Sequence, residues 1–349
     1  MKSLLFVPLL VLGAAALLAD GLVVAPAPYK GSLEERAQEA VIVFTPGRGK
    51  QSATEDLILK IRVEGDPGHF AWVVPFPNPP KTAKEDPKLF EELHRYVQKR
   101  TTRSRVVPSK GAAGETLDAK DDSVRVISRK VVGTYDVAVV REEEQGALNG
   151  WLAKEGFKPI ENGEDVIEWY RGKGYVFSCI KVREVKLAEG VKDADLHPLR
   201  FTFETGGRDG IYFPMRLTGL QKKPFDVNLY VFYGAWLNDA LDRHGFEHRG
   251  FRLVHRDWDT PKCRPNAGKT WSNPRGDPYL RDLSGTIPTV TAYFQKRHPG
   301  RRFYLTNLQA YGLKPGNVRD WTNDLWMFPY YLDRKFVPYD ARDGGPAVP

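Results

Sequence analysis

The sequence predicts an α+β protein: a mostly antiparallel sheet with a few packed helices and an irregular, aromatic-rich C-terminal extension. Runs with two-residue alternation recur along the chain, and the helical patterns between them are isolated, without a regular strand–helix–strand rhythm. Phe, Trp and Tyr make up 12% of the residues, a content that suits sheets better than helical bundles. With 41% hydrophobic and 28% charged residues, the 349-residue chain can bury a sizeable core, which excludes a disordered polymer.

Residues 1–19, "MKSLLFVPLLVLGAAALLA", carry Lys2, an apolar run from Leu4 to Leu12 and small residues at Ala14 to Ala16 and Ala19. This is the plan of a secretory signal peptide cut after Ala19 or Ala16. The alternative is an uncleaved N-terminal anchor, because a stretched helix of this length just reaches across a bilayer. No later stretch approaches a membrane span. The expectation is an exported protein, periplasmic or extracellular. Its main α+β domain would cover 20–255, and 256–349 would form an extension or a small second domain.

The first strands are "AVIVF" (40–44) and "DLILKIRVE" (56–64). In the second, Leu57, Leu59, Ile61 and Val63 alternate with Asp56, Ile58, Lys60, Arg62 and Glu64, which predicts one buried and one solvated face. "FAWVVPF" (70–76) is apolar on both faces and predicts a strand covered on both sides. Pro75, Pro77, Pro79 and Pro80 then end its pairing. These prolines and Trp72 can alternatively line a groove that stacks a sugar or holds an extended peptide.

Residues 86–100 predict a helix, with Asp86 as cap, Pro87 at its start and Leu89, Phe90, Leu93, Tyr96 and Val97 on one face. The small, polar, aperiodic stretch 101–122 is a loop or linker. Strands over 123–140, a helix stopped by Gly156, a short helix over 164–172 and a strand from Tyr175 follow. "LRFTFE" (199–204) and "IYFPMRL" (211–217) predict a hairpin, and "FDVNLYVFYG" (225–234) a further strand. Beyond this, only "PTVTAYFQKRHP" is clearly helical.

Order and spacing in "ERAQEAVIVF" (35–44), "FAWVVPFPNPP", "DPKLFEELHRYV", "VGTYDVAVVREEEQGALNGWLAKEGF" (132–157), "YVFSCIKV" (175–182) and "LHPLRFTFETGGRDGIYFPMRL" (196–217) agree with one bacterial family. The chain resembles the exported proteins catalogued as domain of unknown function 2330, over roughly residues 33 to 235. The resemblance implies a secreted or envelope location, with no settled activity and no catalytic residues to carry over. Relatives often have cysteines soon after the signal peptide, where this chain has "APAPYKGSLEE". Some end in an anchoring helix, where this chain has the polar "VPYDARDGGPAVP".

The formal charge of +8 falls to about +7 without Lys2, and the basic residues form no stripe of the kind nucleic-acid binding needs. An acidic envelope polymer or an envelope protein is the expected partner. Cys179 and Cys263 have no CxxC spacing, and whether they pair is open.

No Gly-x-Ser-x-Gly, His-Glu-x-x-His or Gly-x-Gly-x-x-Gly motif occurs. In "DRHGFEHRGFRLVHRDWD" (242–259), His244, His248 and His255 stand near Asp257 and Asp259. Such nitrogen and carboxylate ligands can hold a divalent metal and a hydrolytic water. Gly245 and Gly250 break any helix that would align the histidines, and a charged turn is the ordinary account. Asp257 and Asp259, or Asp320 and Asp324, could bind calcium or act as acid and base, although Asp is also a common cap and turn residue. The candidate binding residues are Trp72, Trp258 and Trp321. Two readings result: a non-enzymatic envelope binding or structural protein, or a metal-assisted hydrolase.

Overall fold

Alternation along a strand of this chain sorts side chains to two different cores. In the strand Thr54–Glu64, Leu57, Leu59, Ile61 and Val63 enter one hydrophobic cluster, while Ile58 enters another on the opposite face. The computed structural model describes residues 21–31, 33–47, 50–64, 68–100, 125–182, 193–206, 210–233, 250–256, 287–299, 301, 303–321, 323–327, 339–340 and 345–346.

In chain order the elements are β1 (Leu22–Val24), β2 (Glu34–Thr45), β3 (Thr54–Glu64), β4 (Phe70–Phe76), β5 (Lys81–Lys84), α1 (Lys88–Arg100), β6 (Arg125–Val132) and β7 (Tyr135–Arg141). Next come α2 (Ala147–Lys154), α3 (Glu164–Gly172), β8 (Val176–Val182), β9 (Asp193–Asp195), β10 (Leu199–Glu204), β11 (Ile211–Phe213), a 3₁₀ turn (Thr218–Leu220) and β12 (Phe225–Tyr233). The last part holds β13 (Phe251–Arg256), α4 (Pro288–Arg297), β14 (Tyr304–Leu313), α5 (Pro315–Arg319) and β15 (Leu325–Met327), followed by the two-residue pair Tyr339–Asp340 with Gly345–Pro346.

Two sheets stack face to face. The smaller has the order β1-β4-β8-β7-β6 and is antiparallel throughout. The larger runs β13-β14-β12-β2-β3-β10-β5, with β9 also paired to β3. Its β2–β12 contact is parallel and its other pairs are antiparallel. The class is α+β.

Register explains the layering. Trp72 of β4 stands opposite Ile180 of β8, which stands opposite Val137 of β7, so these side chains share the inner face of the smaller sheet. Trp72 meets Phe201 edge-on at 6.3 Å, and Phe76 packs on Phe201 and Phe203 at 4.9 and 5.1 Å, all across the gap to β10. The outward side of β8 carries Phe177, whose ring lies 5.9 Å from Tyr170 of α3. Leu148, Trp151 and Leu152 of α2 join the same core. On the far side of the larger sheet, α1 and α4 cover Val41, Val43, Ile58, Tyr230 and Phe232.

Helix α1 follows its sequence pattern: Asp86 Oδ1 accepts from the Lys88 amide at 2.9 Å, and all five residues of its apolar face are buried. Helix α4 has no cap of its own. Glu92 of α1 supplies one, accepting from the Val290 amide at 3.0 Å and the Thr289 hydroxyl at 2.7 Å.

Two sequence expectations are corrected. The second face of β3 is not solvated along its length, because α4 lies over it and Asp56 and Ile58 are buried. The hairpin of 199–204 with 211–217 does not form. Strand β10 spends both edges on β3 and β5, and β11 pairs with β15. The described residues after 256 contribute β14 inside the large sheet and β15 against β11. Cys179 is a buried free thiol whose pKa is pushed up by burial. Residues 1–20 and 101–124 lie outside the described residues, and with them the signal-peptide and linker expectations.

Candidate functional site

Helix α3 forms because Val166, Ile167 and Tyr170 repeat at helical spacing and bury against the smaller sheet, while Glu164 and Asp165 complement the helix dipole at its start. Gly174, at φ 71°, turns the chain out of it. Trp169 falls at the edge of the buried stripe and is half-buried.

Beneath α3 lies a buried carboxylate, Asp324. Its Oδ1 accepts from the Tyr170 hydroxyl at 2.8 Å, the Met215 amide at 2.8 Å and the Arg216 amide at 2.9 Å. The Tyr212 hydroxyl lies 2.9 Å from Oδ2 and 3.1 Å from the carbonyl oxygen of Pro75. Burial pushes the Asp324 carboxyl up, and the Arg216 and Met215 amides with the two tyrosines only partly offset it. In its protonated form Asp324 can donate to Tyr212 while Tyr212 donates to Pro75, which satisfies every atom of the chain. The knot joins α3, the end of β4, β11 and the segment before β15.

Because its amide is bound to Asp324, Arg216 leaves this knot in a fixed direction. Its guanidinium carbon stands 4.4 Å from the centroid of Trp169, and Lys173 Nζ stands 4.8 Å from the same ring. Arg216 Nε and Nη1 are buried and, among the described residues, meet no acceptor. Among the described residues, Glu168 pairs with Arg171 at 2.6 Å, Asp165 with Arg319 at 3.0 Å, and Asp324 is held in the knot. Unpaired buried donors on a charged group cost more than about 1–3 kcal/mol each, so this arrangement calls for an anion or water.

Asp165 and Trp169 are neighbours four residues apart on one face of α3. Arg319, the partner of Asp165, also borders a cleft of about 620 Å³. The cleft walls include β1, Lys158 to Asn162, Glu164, Gly219 to Lys222 and Gly316. Asn162, at φ 53°, is the one non-glycine residue with positive φ among the described residues. Trp321 follows Arg319 by two residues and is partly buried against the main core. Cationic and aromatic groups thus run from the cleft along α3: Lys158, Lys222, Arg319, Trp169, Arg216 and Lys173.

A second constellation has catalytic residue types but a closed geometry. Asp56 accepts from Arg297 Nε at 2.8 Å and Nη2 at 3.1 Å, from the Tyr293 hydroxyl at 2.7 Å, and from Thr202. His298 Nε2 stands at 3.4 Å, while Arg200 lies 3.8 Å away and pairs with Glu85 at 2.6 Å. Burial would raise the Asp56 carboxyl, but His298, Arg297, Thr202 and Tyr293 together hold it well below the usual carboxylate range. With its lone pairs taken, Asp56 is a clasp that fastens α4 to the large sheet.

Of the sequence candidates, Trp72, His255, Asp320, Trp321 and Asp324 fall among the described residues. Trp72 is 1% exposed and lies between the sheets, so it gives a ligand no surface and the groove expectation fails there. Of the proposed ligand cluster, His255 sits in β13 opposite Asn307. His244, His248, Asp257, Asp259 and Trp258 lie outside the described residues. Among the described residues, no group of three or more His, Cys, Asp or Glu is placed to hold a metal. Asp320 caps α5 at its C-terminal end. No helix among the described residues is long and apolar enough to cross a membrane.

Sequence reasoning missed Arg216 and Trp169. The readable signal was a Trp at the margin of the α3 stripe, four residues before Lys173. Nothing local links either residue to Arg216.

The fold defines an α+β protein whose cleft is lined by both cations and carboxylates and whose sequence has no recognised catalytic motif. A family model described as an uncharacterized protein conserved in bacteria, domain of unknown function 2330, matches residues 31–311, and the chain belongs to that family. The match runs beyond the region in which the resemblance was read, to β14. No curated protein matches. Among solved structures, the chain is similar to the crystal structure of baculovirus P35, with 13% identity, a TM-score of 0.33, and coverage of 71% of this chain and 75% of that one.

Proposed function

We propose that the protein is an exported, non-enzymatic binding protein of the bacterial cell envelope. Its ligand would be a polymer bearing repeated anionic groups, laid along α3. The observation that carries this reading is the Arg216 guanidinium, stacked on Trp169 with two buried donors that meet no acceptor among the described residues. Nε–H and Nη1 point to different edges of the guanidinium plane, so each calls for its own acceptor, which a carboxylate or phosphate oxygen supplies with a charge-assisted bond. Trp169 offers a sugar ring an apolar surface, and Lys173 beside it and Lys222 at the cleft supply further positive charge. The basic balance of the chain favours the same ligand.

Binding of the full chain to polygalacturonate, to polyphosphate and to neutral dextran tests it. Salt-sensitive binding to one or both anionic polymers, weakened at least about tenfold by Arg216→Gln with the fold intact, is the expected result. Equal binding to dextran, or an Arg216→Gln protein that binds as well as the parent, would sink it.

A further inference from the structure

The four outer strands of the two sheets are protected unequally. Strand β5 has four residues, includes Lys81 and Lys84, and directly follows the prolines; β1 has three residues, all buried. Strand β13 carries Arg252 and Arg256 in six residues. Strand β6 has eight residues, contains no proline, and pairs only with β7 among the described residues. Val126, Ile127 and Val131 are 42%, 38% and 51% exposed, three of the four large apolar residues so exposed among the described residues. An edge with open backbone groups and exposed β-branched side chains is a template for another strand.

Its charge says which strand. The sequence "RVISRKVV" carries Arg125, Arg129 and Lys130 and no carboxylate. Arg129 is engaged by Asp136 at 2.6 Å and Glu155 at 3.2 Å, and Arg125 meets Glu143 at 3.6 Å between exposed side chains. Lys130 is exposed and has no ion pair among the described residues. A second copy of β6 would set like charges opposite one another, which destabilises a strand pair. The register shift between Val126 and Ser128 leaves Ile127 out of the ladder, and Ser128–Val132 continues as a regular five-residue run.

We infer that Ser128–Val132 receives an extended segment of a partner protein by strand addition, and that this segment alternates carboxylate and β-branched residues. Ser128 and Lys130 point to one face and Arg129 and Val131 to the other, so an acidic residue opposite Lys130 and an apolar one opposite Val131 satisfy both faces. This surface lies on a different element from the α3 site and does not depend on it.

The test is fluorescence anisotropy of a labelled heptapeptide alternating valine and glutamate, titrated with the full chain. Controls are the same peptide N-methylated at alternate amides and a valine–lysine peptide. Binding that weakens at least about tenfold on N-methylation and with either Lys130→Glu or Val131→Glu, and that Arg216→Gln leaves unchanged, is the expected outcome. Circular dichroism establishes that each variant is folded. The inference is overturned if the parent does not bind, if the N-methylated peptide binds equally, or if both β6 variants bind normally. Sedimentation showing the parent self-associating through β6, with the association lost in Val131→Glu, would make a second copy the occupant and overturn it too.

Discussion

Asp56 and Asp324 are both buried aspartates that tie a late segment of the chain to an early one, yet their carboxyl groups move in opposite directions. Asp56 faces two arginines and a histidine, and charged donors outweigh its desolvation. Asp324 is fully enclosed and meets only backbone amides and tyrosine hydroxyls, so desolvation prevails. The lesson concerns partner charge. A buried carboxylate with cationic partners is an ion clasp that fails when either side is neutralised, whereas one with neutral donors works as a hydrogen-bonding hub that tolerates a neutral amide.

The largest separation between the two sites is expected from matched substitutions. Asp56→Asn leaves the half-buried Arg297 beside a neutral amide and should cost about 2–4 kcal/mol in urea unfolding, less than for a fully buried charge. Asp324→Asn keeps Oδ1 for its three donors and can donate to Tyr212 from the amide nitrogen, so a loss below about 1 kcal/mol is expected. Equal losses would erase the distinction. Between these, Tyr212→Phe removes the hydroxyl shared by Asp324 and Pro75 and should cost about 1–3 kcal/mol by the same measurement.

pH sharpens the contrast. The folded-state pKa of Asp56 lies below its unfolded value, so its stabilisation is present above about pH 4 and is lost as pH falls toward the folded pKa. Glu55 behaves oppositely. It is buried between the sheets, accepts the Tyr212 amide at 2.8 Å on Oε2, has no partner at Oε1 among the described residues, and is raised well above the ordinary range by burial. Its folded form holds a proton that the unfolded chain releases above about pH 4.3, so stability falls with rising pH until the folded pKa is passed. Glu55→Gln should therefore unfold like the parent at pH 4 and be more stable at pH 8. A constant difference across that range would show that Glu55 does not titrate with folding.

Elements whose causes are local were legible in the sequence. The unbroken apolar run of 70–76 foretold a strand covered on both faces, and the 86–100 stripe foretold α1 with its Asp86 cap. What was not legible depends on residues far apart in the chain. Asp56 read as solvent-facing because Arg297 and Tyr293, which bury it, come more than two hundred residues later. The hairpin reading failed because β10 and β11 find their partners in β3, β5 and β15 rather than in each other. The α3 site was not legible, because the pairing of Trp169 with Arg216 is tertiary.

Nitrogen-15 NMR of the Arg216 side chain during titration with polygalacturonate and polyphosphate tests the proposed anion site most directly. The expected result is a saturable downfield shift of the Nε–H resonance, reversed by high salt and accompanied by a shift of the Trp169 indole. An Nε–H resonance that stays in place while a polymer saturates the protein would contradict it, as would failure of both polymers to bind.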